Sequence, residues 1–351
     1  MKSLLIVSLQ FRPQHVSHLV ASYKQAIDIG LAPVLLVDKE FIPFLPDGLS
    51  LVTDVSEIQH VDYAIFWFPA LKNLTVMRRL RRSFKCKIMY VMHEPIEKYS
   101  TYIKSGNSHK WTIRFFLKYY VSMLFLMLSD KILLPSQKAI RLYKNSIAVK
   151  FNSNYTYLPL LYYKETLPCI CDRKYFSYIG TVSPDHAFDA FVDFIYKLSL
   201  SKDYDSDEFT FKIATKYKVE RTPELEELIV KGFLTIQDGN PLTDEEINTA
   251  YASSIAVWNA YNRTTQSGVM AKAFMFGTPA IVLKKNLSEF MTDRGNVYAC
   301  TSNTDYVDLL GALKYITEHF QDMSMYAEQS FSKYFNYSQY NFRMKEIISE
   351  L

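Results

Sequence analysis

Glycine is scarce, with 10 in 351 residues, and none of them builds a Gly-x-Gly-x-x-Gly turn after the first apolar run. A dinucleotide enzyme needs those glycines for close backbone approach to the pyrophosphate, so that class is disfavoured. Cysteine is scarce as well. Cys86, Cys169, Cys171 and Cys300 form neither a disulfide framework nor paired metal-ligand spacing, which reads as a reduced, cytoplasmic chain. The one formal Asp-x-Asp run, Asp203-Tyr-Asp205-Ser-Asp207, lies in a polar loop between elements, and no metal site is expected. Internal repeats and low-complexity segments are lacking. The basic, aromatic stretch Ser108 to Ser129 invites a membrane-spanning reading, but its uncharged core from Tyr119 to Ser129 is 11 residues, where a crossing takes about 20. An amphipathic helix, apolar side toward the core or a membrane face, fits better. Met1 to Gln10 is too short an apolar run for a signal peptide and reads as a first strand.

What the chain does have is 49% hydrophobic and 22% charged residues, ample for two α/β domains. Gln14 to Ile29 carries helical spacing, with Val16, Leu19, Val20, Tyr23, Ala26 and Ile27 on one side and Gly30 closing it. Strands are expected at 33–37, 63–68, 87–92 and 209–214, and 175–182 reads as a strand running into a Gly turn. Pro159 and Pro168 interrupt a polar stretch between Lys150 and Cys171, which places the boundary so that residues 1–165 and 166–330 are separate domains. Charge divides the same way. Residues 1–160 hold 21 Lys+Arg against 10 Asp+Glu, and the remainder 19 against 26.

One stretch organises the rest. Ser254 to Trp258 is an apolar strand, Asn259 to Gln266 a loop too polar to be buried without partners, Ser267 a candidate N-cap, and Val269 to Phe276 a short helix stopped at Gly277 before Pro279 and a second buried strand. Asn259, Tyr261, Asn262, Arg263, Thr264, Thr265, Gln266 and Ser267 supply more hydrogen-bonding groups than a turn requires, and Gly268, followed by Val269, lets a ligand approach the first free backbone N–H groups of the helix. An anion is the expected ligand, at the carboxyl end of a strand. Lys272 is the lone cation on this apolar helix. It either snorkels to water or faces an anion.

The segment Gln266-Ser-Gly-Val-Met-Ala-Lys-Ala-Phe-Met-Phe-Gly-Thr-Pro-Ala-Ile281 resembles the nucleotide-sugar loop of glycosyltransferase family 4, retaining enzymes of the GT-B fold. It departs from the family at both acids of the Glu-x7-Glu motif, whose places are taken by Thr264 and Lys272. The resemblance implies an α/β chain of two Rossmann-like, doubly wound domains facing across a cleft, with residues 331–351 returning as a helix to the first domain. It implies donor diphosphate binding at the Gly180-Thr181 turn, with His186 or Lys216 as the cation. It also brings His93 close to the donor sugar, with Glu94 to orient it. Arg12 and His15 fall where such enzymes meet their acceptor.

The function implied is a metal-independent hexosyl- or deoxyhexosyl-transferase. It would move sugar from a nucleoside-diphosphate sugar, without a further cofactor, to a glycan or lipid-linked oligosaccharide acceptor, with retention, in surface polysaccharide assembly of the O-antigen or capsule type. Basic and aromatic residues in the first half suggest an anionic membrane partner, and peripheral placement on the inner face of the cell membrane. Nucleic acid is not expected, because the aromatics lie in apolar runs. A catalytically lapsed nucleotide-sugar-binding subunit and a sugar-nucleotide epimerase of the same fold are the alternatives.

Overall fold

The computed structural model describes residues 1–12, 15–67, 70–166, 172–201, 210–240, 242–264 and 268–351, the side chains of Lys118 and Val121 excepted. The chain divides into two compact units. Residues 1–103, 108–163 and 334–351 form the first, and 104–107 with 164–333 the second.

Unit 1 is built on β1 (Ser3–Ser8), β2 (Ala32–Val37), β3 (Leu51–Val52), β4 (Tyr63–Phe66), β5 (Lys87–Val91), β6 (Lys131–Leu134) and β7 (Tyr155–Tyr157). These are parallel, in the order β3-β2-β1-β4-β5-β6-β7. Runs such as Leu4-Leu5-Ile6-Val7 are buried on both faces, as a helix-covered parallel sheet requires, and Leu5 sits in register with Val34 and Ala64. The crossover helices are α1 (Val16–Asp28), α2 (Leu71–Phe84), α3 (Tyr99–Lys104), α4 (His109–Leu128) and α5 (Gln137–Lys144).

The apolar face expected for α1 needs correction. Ile27 is 54% exposed, while His15 at the N-cap and His18, Ser22 and Gln25 are all buried, at steps of three, four and three residues. The physical reason is hydrogen bonding over long sequence separation: His18 Nδ1 donates to Leu161 O at 2.9 Å and Gln25 Nε2 to Tyr337 O at 3.2 Å. A buried polar side chain with a partner is tolerated where an unpaired one is not.

Helix α4 is, by length and composition, apolar enough to cross a bilayer, the one such helix among the described residues. Its Tyr119, Met123, Phe125 and Leu126 are nevertheless packed in the core of unit 1. Ser108 caps it, accepting from the Trp111 N–H.

Helix α12 (Asn341–Ser349) belongs to unit 1. Glu350 just beyond it pairs with the buried Lys131 of β6, and Arg343 donates to Thr156 of β7. Tyr162 and Asn336 form a parallel bridge, through Tyr162 N–H to Phe335 O and Tyr337 N–H to Tyr162 O.

Unit 2 contains β8 (Tyr175–Ile179), α6 (Phe188–Leu200), β9 (Thr210–Ala214), α7 (Pro223–Val230), β10 (Leu234–Gln237), α8 (Asp244–Ala252), β11 (Ser254–Asn259), α9 (Gly268–Met275), β12 (Ala280–Leu283), β13 (Val297–Cys300), α10 (Tyr306–Glu318) and α11 (Phe320–Tyr334). Its parallel sheet runs β10-β9-β8-β11-β12-β13. Phe176, Phe191, Phe211 and Trp258 meet edge-on or tilted at its centre. Thr243 and Glu246 form the capping box that starts α8. Gly277, at φ +62°, stops α9, and a Cβ there would lie 2.6 Å from Ser324 Oγ. The glycine therefore also admits α11.

Candidate functional site

Each sheet has one point where strand order reverses direction, the place where open α/β sheets bind their ligands. In unit 2 that point lies between β8 and β11. Strand β8 ends in Gly180, whose φ of +122° suits glycine alone. A Cβ built there would touch Val269 Cγ2 at 3.5 Å, so the β8 turn lies directly against the first turn of α9. Gly180, Gly268 and Val269, far apart in sequence, are thus brought together at the N-terminus of a helix, where backbone N–H groups and the helix dipole favour an anion. Thr265, Gln266 and Ser267, the residues expected to complete that turn, lie outside the described residues.

The loops after β8 and β11 are locked to one another. Thr181 O accepts from Tyr178 Oη at 2.6 Å and from His186 Nδ1 at 2.7 Å. A carbonyl only accepts, so Nδ1 carries the imidazole proton. The His186 ring stacks on Tyr261 with centroids 4.2 Å apart, and Trp258 Nε1 donates to His186 O. Asp185 O accepts the N–H groups of Asn262 and Arg263. Its carboxylate accepts from Asn107 Nδ2 at 2.8 Å and from Arg263 Nη2 at 3.3 Å. Arg263 is 7% exposed, and its guanidinium is engaged with this carboxylate. Asn259 and Tyr261 are buried, and Asn286 Nδ2 holds Tyr261 O at 2.6 Å. Of the loop residues expected to meet an anion, these three are therefore buried, with Arg263 and Tyr261 engaged by the chain's own groups. Lys216 is exposed, after β9, with Nζ 5.4 Å from the Tyr217 ring centroid.

Lys272 does not snorkel to water. Its Nζ donates to Glu165 Oε1 at 2.6 Å and to Asn248 Oδ1 at 3.1 Å, while Asn248 Nδ2 donates to Glu165 Oε2 at 2.6 Å. The two charged side chains are 12% and 14% exposed. Burial raises the nearby Asp244 carboxyl above its ordinary value, with Lys272 opposing and Glu165 adding to the rise. Lys272 thus faces an anion, and that anion is the chain's own. Glu165 was not singled out from the sequence. The available signal was the ammonium itself, which on an apolar helix demands a counter-charge. Asp185 and Asn107 were likewise missed, since only the folded chain brings them to the loop.

In unit 1 the reversal lies between β1 and β4. Rings collect there from the ends of β1, β4 and β5. His18 stacks on Trp67 at 5.0 Å, His15 on His93 at 5.6 Å, and His93 meets Trp67 edge-on at 5.7 Å. His93 Nε2 and His15 Nδ1 are shielded from solvent. Burial first, then the neighbouring His18 and Arg12, depress the His93 pKa to about 3, so its imidazole is neutral at physiological pH. Glu94 is exposed. Among the described residues no group of three His, Cys, Asp or Glu is placed to hold a metal ion. Cys86 and Cys300 are buried, and their thiols are pushed up to about 12, which keeps them protonated and unreactive.

No protein-family model matches the chain and no curated protein matches it in sequence. Solved structures do match it in fold. Sucrose-phosphate synthase from Thermosynechococcus elongatus aligns at a TM-score of 0.69 and 10% identity, covering 100% of this chain and 99% of that one. HepE of Anabaena, solved in complex with UDP and glucose, aligns at 0.69 and 11%, covering 100% of both chains. A glycosyltransferase from Rickettsia africae aligns at 0.68 and 12%, covering 99% of this chain and 98% of that one. The chain has the GT-B fold of two parallel-sheet α/β domains. At these identities the likeness speaks for the fold.

Proposed function

We propose that the protein is a glycosyltransferase that takes a nucleoside-diphosphate sugar as donor and a glycan as acceptor. The observation that carries this reading is the contact between the Gly180 turn and the first turn of α9 at the strand-order reversal of unit 2. The backbone N–H groups there offer the donor diphosphate a preorganised anion site, and they stabilise it further as it departs. The imidazole of His93, neutral at physiological pH, can donate or accept a hydrogen bond without adding charge. The structures similar in fold include one solved with UDP-glucose, which supports a donor of this class. The finer reading is of hexosyl or deoxyhexosyl transfer without a metal and with retention. The acceptor is a lipid-linked oligosaccharide at the inner face of the cell membrane, in surface polysaccharide assembly.

The test is the melting temperature of the purified protein with uridine, guanosine, deoxythymidine and cytidine diphosphate sugars, since a ligand of the native state raises it. One nucleotide class is expected to shift it, and Gly180→Val to abolish that shift. No shift with any of them overturns the proposal. The pairing of Lys272 with Glu165 favours a second reading, a binding subunit without transfer. Donor binding with no release of nucleoside diphosphate in the presence of acceptor glycans would select it.

A further inference from the structure

Helix α4 turns five large apolar side chains outward. Ile113, Leu117, Tyr120, Leu124 and Met127 are exposed, Leu117 by 63%, and they recur at steps of four, three, four and three residues. That spacing sets them in one narrow stripe along the helix. The opposite side of α4 is fixed in the core of unit 1 through Tyr119, Met123, Phe125 and Leu126, so the stripe cannot turn inward. Trp111 lies exposed at the N-terminal end, and tryptophan and tyrosine favour a boundary between water and hydrocarbon.

Charge chooses between the occupants such a stripe admits. Lys110 and Arg114 are exposed on α4. Helix α2 packs against α4 and is tied to its end by Arg81, which donates to Leu128 O at 2.9 Å and pairs with Asp130. It adds the exposed Arg78 and Arg82, with Lys85 at its C-cap. Neither helix contains an Asp or Glu. A second copy seated on the stripe would set one group of cations against another, whereas an anionic headgroup layer complements them.

The geometry points to α4 as an in-plane membrane anchor: the stripe enters the acyl boundary of an anionic bilayer while the cations of α4 and α2 meet the phosphates. This deepens the membrane placement proposed above by assigning it a surface, and it stands independently of donor binding.

The experiment is flotation of the whole purified chain with phosphatidylcholine vesicles, alone or with about one third phosphatidylglycerol. Binding is expected to the anionic vesicles only and to weaken as salt rises. Leu117→Ser with Leu124→Ser, both at exposed positions, is expected to lower partitioning roughly tenfold for each leucine, and Arg114→Glu to lower it separately. Melting temperature and its donor-induced shift should be unchanged in these variants, which separates failure of the anchor from failure of the transferase reading. Equal binding of wild type and the double serine variant overturns the assignment. So does a dimer that dissociates on the same substitutions in a chain that ignores vesicles.

Discussion

His93 is a half-buried histidine, its Nε2 shielded from solvent, whose surroundings have chemical consequences. With its pKa held near 3 against an ordinary 6.5, the folded protein leaves it neutral while the unfolded chain protonates it below about pH 6.5. The unfolded state then binds more protons, so stability falls as pH drops through that window, by about 1.4 kcal/mol for each pH unit at most. Urea unfolding of wild type and His93→Gln between pH 7 and pH 4 is expected to show the steeper decline in wild type. Equal slopes would mean the ring is more solvated than its neighbours imply. Lys272 is governed by pairing instead. Lys272→Met leaves the Glu165 carboxylate buried beside Asp244 without a cation, a loss on the order of 3 kcal/mol. Adding Glu165→Gln, which keeps the bond from Asn248, is expected to recover most of it, read as a coupling energy in a double-mutant cycle by urea denaturation. Lys272→Glu would set a third carboxylate in the cluster and is expected to be worse than Lys272→Met.

Elements that stop and start by local chemistry were legible in the sequence, and elements whose faces depend on distant partners were not. Thr243 and Glu246 cap α8 as their spacing implies, because both partners lie within one turn. Gly277 stops α9 because the left-handed φ needs no tertiary information. Its second role, admitting Ser324 and Glu328 of α11, is invisible in the flanking residues. Gly277→Ala is therefore expected to cost more than the roughly 1 kcal/mol of the strained φ alone, with the melting temperature as readout. The buried polar stripe on α1 shows the limit most clearly. The partners of His18 and Gln25 are carbonyls at Leu161 and Tyr337, more than a hundred residues away, so periodicity assigned Ile27 to the core in their place. In the candidate site the same division holds. The Gly180 turn and the start of α9 were readable as local motifs, whereas the Asp185, Arg263 and Asn107 cluster and the Glu165 carboxylate needed the folded sheet.

At the scale of the molecule, the chain completes its first unit only after finishing its second. Residues 334–351 belong to unit 1, where Glu350 neutralises Lys131, a lysine 4% exposed on β6, and where Arg343 reaches Thr156. Met344 and Ile347 are buried there, and Asn336 bridges to Tyr162. Removing this segment therefore does three things to unit 1 and none to the sheet of unit 2. It leaves the ammonium of Lys131 without its carboxylate, exposes the apolar surface under α12, and removes the isolated bridge at Tyr162. An unpaired buried cation alone is worth about 3 kcal/mol, a large share of the 5–15 kcal/mol by which a domain is typically stable. A chain ending at Lys333 is expected to show two calorimetric transitions where the whole protein shows one or two. The transition of unit 1 should move down by well over the roughly 4 °C that each kcal/mol gives a domain of this size, and the donor-responsive transition of unit 2 should be retained. If both transitions fell together, the stability of unit 2 would depend on unit 1, and the division of the chain into two independently cored units would not describe how it unfolds.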